Sequence, residues 1–165
     1  GSLQFTHMAG YHAGLVIRSI LFRLPVKENR ANIPWVTYTD PELAHVGLSE
    51  AQARETGVAF GVLRWPFAEN DRAQAEHKTE GLVKLVVGKR GRILGATIVG
   101  HGAGDQIGLW TLAISKGMTV RDIAGMVFPY PVMGEAGKRA AIAYYAEAPR
   151  KPLVRKVLSL LRKFG

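Results

Sequence analysis

Gly81-Leu-Val-Lys-Leu-Val-Val87, then Gly88-Lys-Arg-Gly91, then Arg92-Ile-Leu-Gly-Ala-Thr-Ile-Val-Gly100, is the stretch whose reading decides the fold. Two β-branched apolar runs meet across a short segment bounded by glycines. Those glycines supply the positive φ that a tight reversal needs, so the stretch reads as an antiparallel hairpin. Leu82, Val83, Leu85, Val86 and Val87 are too uniformly apolar for a strand with one wet face. The hairpin is therefore expected at the centre of the sheet, covered on much of both sides.

Working outward from the hairpin, Ile33 to Thr39 reads as a strand rich in aromatic and β-branched residues, broken by Asp40-Pro41-Glu42. Ala44 to Leu48 reads as a second strand and Val58 to Trp65 as a third, with a helix between them that starts at a Ser49/Gln52 capping box and ends at Gly57. Asn70 to Lys78 is polar and reads as a surface helix or loop. The expected fold class is α+β: an antiparallel sheet of about five strands with helices packed on it.

After the hairpin, Gly100-His-Gly-Ala-Gly-Asp105 has Asp105 where the dinucleotide fingerprint needs a third glycine, and no Lys-Ser or Lys-Thr follows. It reads as a strand-to-helix turn, with Ala103, Ile107, Trp110 and Ile114 as the buried stripe of the next helix and Gly117 as its end. Thr119 and Asp122 form a second capping box. The five histidines lack metal-ligand spacing, so no metal site is assigned. At the other end, Thr6 reads as the N-cap of an apolar helix running to about Leu24, before Pro25; within the chain alone it is expected to be a core helix.

Composition narrows the function classes. With 165 residues, 47% of them hydrophobic and 21% charged, the chain suits one globular domain with a tail. The absence of cysteine excludes disulfides, thiolate metal sites and dithiol redox chemistry by these residues. No apolar run approaches the roughly 20 residues a bilayer-spanning helix needs, and no signal-peptide pattern opens the chain, so a cytoplasmic location is expected. Gly1-Ser2 fits a cloning remnant, which would make the chain a piece of something longer.

The net charge of +9 is concentrated at one end. From Lys138 onward eight Lys and Arg face Glu147 alone, a net +7, whereas residues 1 to 137 hold 14 basic and 12 acidic residues, a net +2. Past the break at Pro149 to Pro152, Leu153, Val154, Val157, Leu158, Leu160, Leu161 and Phe164 form one apolar stripe opposite Arg155, Lys156, Arg162 and Lys163. Such a helix either packs on the domain or its dimer mate, or lies on an anionic membrane surface through residues 153 to 164; packing is the favoured reading. Without aromatic interleaving, nucleic acid is not an expected partner.

Val127-Phe-Pro-Tyr130-Pro-Val-Met-Gly-Glu135-Ala carries the functional information. Two prolines flanking a tyrosine stiffen an extended segment, and Glu135 opens the following helix, which runs to about Glu147. Taken alone, this is a helix entry with a surface tyrosine.

Ile33-Pro-Trp-Val-Thr-Tyr-Thr-Asp-Pro-Glu-Leu-Ala-His-Val-Gly-Leu-Ser-Glu50, together with the hairpin sequence, resembles the C-terminal dimerisation domain of the FAD-dependent pyridine nucleotide-disulfide oxidoreductases. That family includes dihydrolipoamide dehydrogenase, glutathione reductase and mercuric reductase, and the resemblance covers Phe5 to about Ala146 in order. It implies three parts: residues 1–31, the end of an FAD domain with a linker; residues 32–148, a dimerisation domain that forms a homodimer; and residues 149–165, a basic amphipathic helix. Thr6, His7, Met8 and Ala9 stand where the family places a helix N-terminus beside the flavin. The resemblance further implies that the parent uses FAD and NAD(P)H, bound largely by N-terminal FAD and NAD(P) domains outside this chain. Alone, the chain is expected to bind neither and to catalyse nothing.

The family's loop at this place reaches into the partner subunit's active site, with a histidine before proline as acid/base and a glutamate five residues on to hold it. Here Tyr130 stands at the histidine's position and Glu135 at the glutamate's. A phenol with a reference pKa near 10 does not exchange protons at pH 7 as an imidazole does, so Tyr130 is expected to position or stabilise a reacting thiolate rather than act as a base. Mercuric reductase carries a tyrosine there too, but ends in a cysteine pair absent from this chain. A generic flavin-dependent NAD(P)H oxidoreductase is the favoured parent, and a non-enzymatic, membrane-binding basic module is the alternative. A cis Tyr130-Pro131 bond is expected, with Asp40-Pro41 as a second candidate.

Overall fold

The computed structural model describes residues 4–30, 32–146 and 152–163. Five strands, β1 (Trp35–Thr37), β2 (Glu42–Gly47), β3 (Gly61–Pro66), β4 (Leu82–Val87) and β5 (Ile93–Gly100), form one sheet in the order β1-β2-β5-β4-β3, with every pair antiparallel. The β4–β5 hairpin lies at the centre, as its sequence predicts. Its reversal uses Arg90 at φ 56° and Gly91 at φ 78°, and the register shifts at Val86/Val87 to absorb the extra residue.

Among the described residues, seven α-helices accompany the sheet: α1 (Thr6–Phe22), α2 (Glu50–Glu55), α3 (Asp71–Ala75), α4 (Ala103–Ser115), α5 (Val120–Gly125), α6 (Glu135–Ala143) and α7 (Pro152–Leu161). On one face of the sheet α4 lies against β2 and β5 while α6 lies against β3 and β4, with α5 against α6. The core between them holds Val46, Leu85, Ile98, Trp110, Ile123 and Ala140, all essentially buried. The capping boxes at Ser49/Gln52 and Thr119/Asp122 start α2 and α5, and Gly117 at φ 65° follows α4.

The opposite face is less covered than the apolar hairpin suggests. Cross-strand partners Trp35, His45, Thr97, Lys84 and Arg64 make a row across it. Several of them line a groove of about 640 Å³ with Leu43, Leu48 and Gln52. Polar groups in the row are satisfied locally: Glu50 binds Arg64 at 2.8 Å and approaches Lys84 at 3.9 Å, and His45 is bonded to Thr97 and Gly47.

Two expectations about helix ends and burial are corrected. Phe5, not Thr6, is the N-cap of α1, and no side chain caps it. Nor is α1 a core helix: Met8 alone among its residues is buried, while Ile20, Leu21 and Phe22 are 69%, 70% and 66% exposed. Polar bonds to the following connector hold it instead, His7 Nε2 to Pro34 O at 2.9 Å, Asn29 N–H to Tyr11 Oη at 2.9 Å and His12 to Glu28 at 2.8 Å. Its glycines need no close packing, because a Cβ at Gly10 or Gly14 would meet nothing.

The tail forms α7 as expected, yet Val157, Leu158, Leu160 and Leu161 remain 44–60% exposed, so these residues do not pack on their own domain. Phe164, the break at 149–151 and the helix end expected at Glu147 lie outside the described residues; α6 itself ends at Ala143.

Candidate functional site

The loop between α5 and α6 is built from restricted backbone. Pro129 and Pro131 fix their own φ and push the residues before them toward extended conformations. Tyr130-Pro131 is cis, as expected, and so is Asp40-Pro41. A Cβ at Gly134 would come within 3.1 Å of the Phe128 ring, so the loop closes tightly on itself. Beyond it, Glu135 and Ala136 N–H groups bond back to Val132 and Met133 carbonyls, which starts α6.

Tyr130, in this loop, is 69% exposed. Its hydroxyl donates to Asp71 Oδ2 at 2.9 Å, a partner 59 residues away on the first turn of α3. That bond to a carboxylate pushes the phenol's pKa above its ordinary value, and the charges of Asp71 and Glu135 add to it. Asp71 thus holds the Tyr130 hydroxyl. Beside Asp71, the 3%-exposed Asn70 accepts from Ala73 N–H at 2.9 Å and donates to the Val132 carbonyl at 3.1 Å. Sequence reasoning singled out Tyr130 and Glu135 but missed Asn70 and Asp71. A polar pair at a short helix start was visible, yet nothing local pointed to a loop about sixty residues on.

Thr6, His7, Met8 and Ala9 form the first turn of α1, which has no acidic residue. The Met8 side chain is buried and the His7 ring is bonded to Pro34. Met8 and Ala9 N–H both turn to Phe5 O, so the amides of Thr6 and His7 are the ones at the open end of the helix. His7, Met8 and Tyr11 line a cavity of about 410 Å³ that shares no residue with the groove beside Pro131. Among the described residues, no cluster of His, Asp and Glu is arranged to hold a metal, and no helix is long and apolar enough to cross a membrane.

The profile of the pyridine nucleotide-disulphide oxidoreductase dimerisation domain matches residues 33–141. Dihydrolipoyl dehydrogenase of Bacillus subtilis is 39% identical over 136 residues, 82% of this chain and 29% of the relative. Mercuric reductase of Staphylococcus aureus is 37% identical over 142 residues, 86% of this chain and 26% of the relative. The chain therefore spans less than a third of the length of these relatives. Among solved structures, the HOCl-induced flavoprotein disulfide reductase RclA from Escherichia coli superposes with TM-score 0.81 at 27% identity, over 86% of this chain and 33% of that one. LpdA from Mycobacterium tuberculosis superposes with TM-score 0.82 at 22% identity, over 87% and 32%, a likeness of fold. By profile, sequence and fold together, the chain belongs to the pyridine nucleotide-disulphide oxidoreductase dimerisation-domain family.

Proposed function

We propose that this chain is the dimerisation domain of a cytoplasmic, flavin-dependent NAD(P)H oxidoreductase, and that it forms a homodimer in which Tyr130 and Glu135 complete the partner subunit's active site. The observation that carries this reading is a stiffened loop that presents a 69%-exposed tyrosine away from its own core. A second feature agrees with it. The apolar side of α1, with Ile20, Leu21 and Phe22 in water, fits a helix whose natural cover is another domain of the same parent chain.

The first turn of α1 suits the electron-rich edge of a flavin, because an uncapped helix start without acidic side chains offers free N–H groups and the positive end of the dipole. Bound there, FAD would supply the electron-transfer chemistry that this chain lacks. The Thr6 and His7 amides would orient its ring, with Met8 and Ala9 shaping the turn. With its one proton given to Asp71, the Tyr130 oxygen faces the reacting group as an acceptor, so it suits receiving a hydrogen bond from a substrate thiol better than exchanging protons at neutral pH.

The experiment is Tyr130→Phe and Glu135→Gln in the full-length parent. Tyr130→Phe lowers turnover with dimerisation and folding nearly unchanged, and Glu135→Gln does so more mildly. Wild-type NAD(P)H oxidation in Tyr130→Phe would remove the catalytic reading and leave a packing tyrosine.

A second reading concerns α7 alone, whose exposed apolar stripe beside Arg155, Lys156 and Arg162 suits peripheral contact with an anionic membrane. The chain with residues 150–165, but not without them, would then co-sediment with anionic vesicles. Equal behaviour of the two would dismiss it.

A further inference from the structure

We propose that Asn70 and Asp71, the N-cap and first residue of α3, are positioning residues for Tyr130: Asn70 fixes the loop backbone at Val132, and Asp71 fixes the direction of the phenol. The inference rests on the reading of Tyr130 as an active-site residue.

A buried polar side chain persists only where its hydrogen bonds are made, and those of Asn70 divide between two elements. Its Oδ1 caps α3 through Ala73 N–H, while its Nδ2 reaches Val132 O across 62 residues of sequence. The same Val132 carbonyl accepts from Glu135 N–H at 3.3 Å. One carbonyl therefore ties the start of α3, the loop and the start of α6 together. Capping alone does not explain this choice of residue. An aspartate would cap equally well and could not donate to Val132.

Asp71 extends the brace to the side chain. The phenol is the far end of a lever anchored in the loop, and its exposed ring has little packing to fix its torsions. The 2.9 Å bond to Asp71 supplies a direction. Being charge-assisted, it also keeps the hydroxyl protonated, in line with the raised pKa. An exposed bond of this kind adds little to folding stability, so its value lies in orientation.

Two independent readouts test the proposal. In the full-length enzyme, Asp71→Ala, which removes the acceptor, lowers kcat severalfold, and Asp71→Ala with Tyr130→Phe is no slower than Tyr130→Phe alone, since the first acts through the second. Additive losses in that cycle would overturn it. In the 165-residue chain, a tyrosine-ring ¹³C titration, assigned by Tyr130→Phe, shows Tyr130 ionising above the ordinary phenol value and moving down in Asp71→Asn. An unmoved titration would also overturn the proposal. Asn70→Asp keeps the α3 cap but sets a buried carboxylate oxygen against the Val132 carbonyl, so it lowers the melting temperature and shifts the Tyr130 ring resonances of the folded chain; unshifted resonances count against the role of Asn70. Should Tyr130→Phe leave turnover intact, the active-site reading falls, and the NMR arm still decides whether Asp71 and Asn70 hold the ring.

Discussion

Gly137→Ala tests how α6 is seated, because one added carbon meets one fixed ring. Gly137 lies in the first turn of α6, where the backbone passes directly over the indole of Trp110 on α4. A Cβ there would come within 2.5 Å of Trp110 Cζ2 and 3.3 Å of Cε2. Trp110 is 2% exposed and wedged in the core, so the ring has nowhere to turn. Alanine's helix preference would return up to about 1 kcal/mol, and overpacking costs roughly 1–3 kcal/mol. With backbone facing a rigid ring, the cost belongs at the upper end of that range, and the expected net loss is about 2 kcal/mol. For a chain of this size that is a melting point lower by roughly 4–8 °C. Gly108→Ala, within α4, is the control: its Cβ meets nothing within 4 Å, so the same change there is expected to stabilise, by about 1 kcal/mol at most. Urea denaturation followed by circular dichroism measures both. Equal or greater stability of Gly137→Ala would refute the claim that α6, and with it Glu135, is seated by contact with Trp110.

His45 sets a pH dependence. Burial lowers its pKa; Gly47 O can only accept, so Nε2 carries the proton and Nδ1 receives the Thr97 hydroxyl. The unfolded chain then binds the proton more readily, so stability falls as pH drops through the ordinary histidine range near 6.5, and His45→Asn flattens that slope in denaturation curves between pH 7.5 and 5.5. Ser49→Ala removes the acceptor of the Gln52 N–H and costs about 1 kcal/mol by the same assay; no loss would mean that the α2 cap contributes nothing. Ile98→Ala, at a fully buried centre of β5, costs about 2–5 kcal/mol and leaves the fold expanded or unfolded at low urea. A loss below 1 kcal/mol would contradict its place in the core.

The sheet was legible because its signals are local. Apolar runs, a glycine-bounded reversal and two capping boxes each specify an element within a few residues. What was not legible depends on what lies opposite. Ile17, Ile20 and Leu21 recur at the same spacing whether a helix faces its own core or another domain, so α1 reads as buried and stands exposed. The groove across Trp35, His45, Thr97 and Lys84 is defined by register among four strands, which no single segment reveals. Tyr130 was conspicuous through its prolines and Glu135 through its spacing. Asn70 and Asp71 gain meaning only when the fold carries α3 to the loop.

The central claim, that Tyr130 belongs to a site shared between two copies, has a direct test that the cysteine-free sequence makes clean. Tyr130→Cys carrying a nitroxide spin label is mixed with cysteine-free, ¹⁵N-enriched wild-type chain, so that any line broadening in the ¹⁵N spectrum is intermolecular. The expected result is broadening of surface amides in the wild-type copy at concentrations where sedimentation shows twice the 18.0 kDa chain mass, strongest in the first turn of α1, residues 6–9. A dimer whose spectrum shows no intermolecular broadening from position 130, or a chain that stays monomeric at high micromolar concentration, would contradict the account.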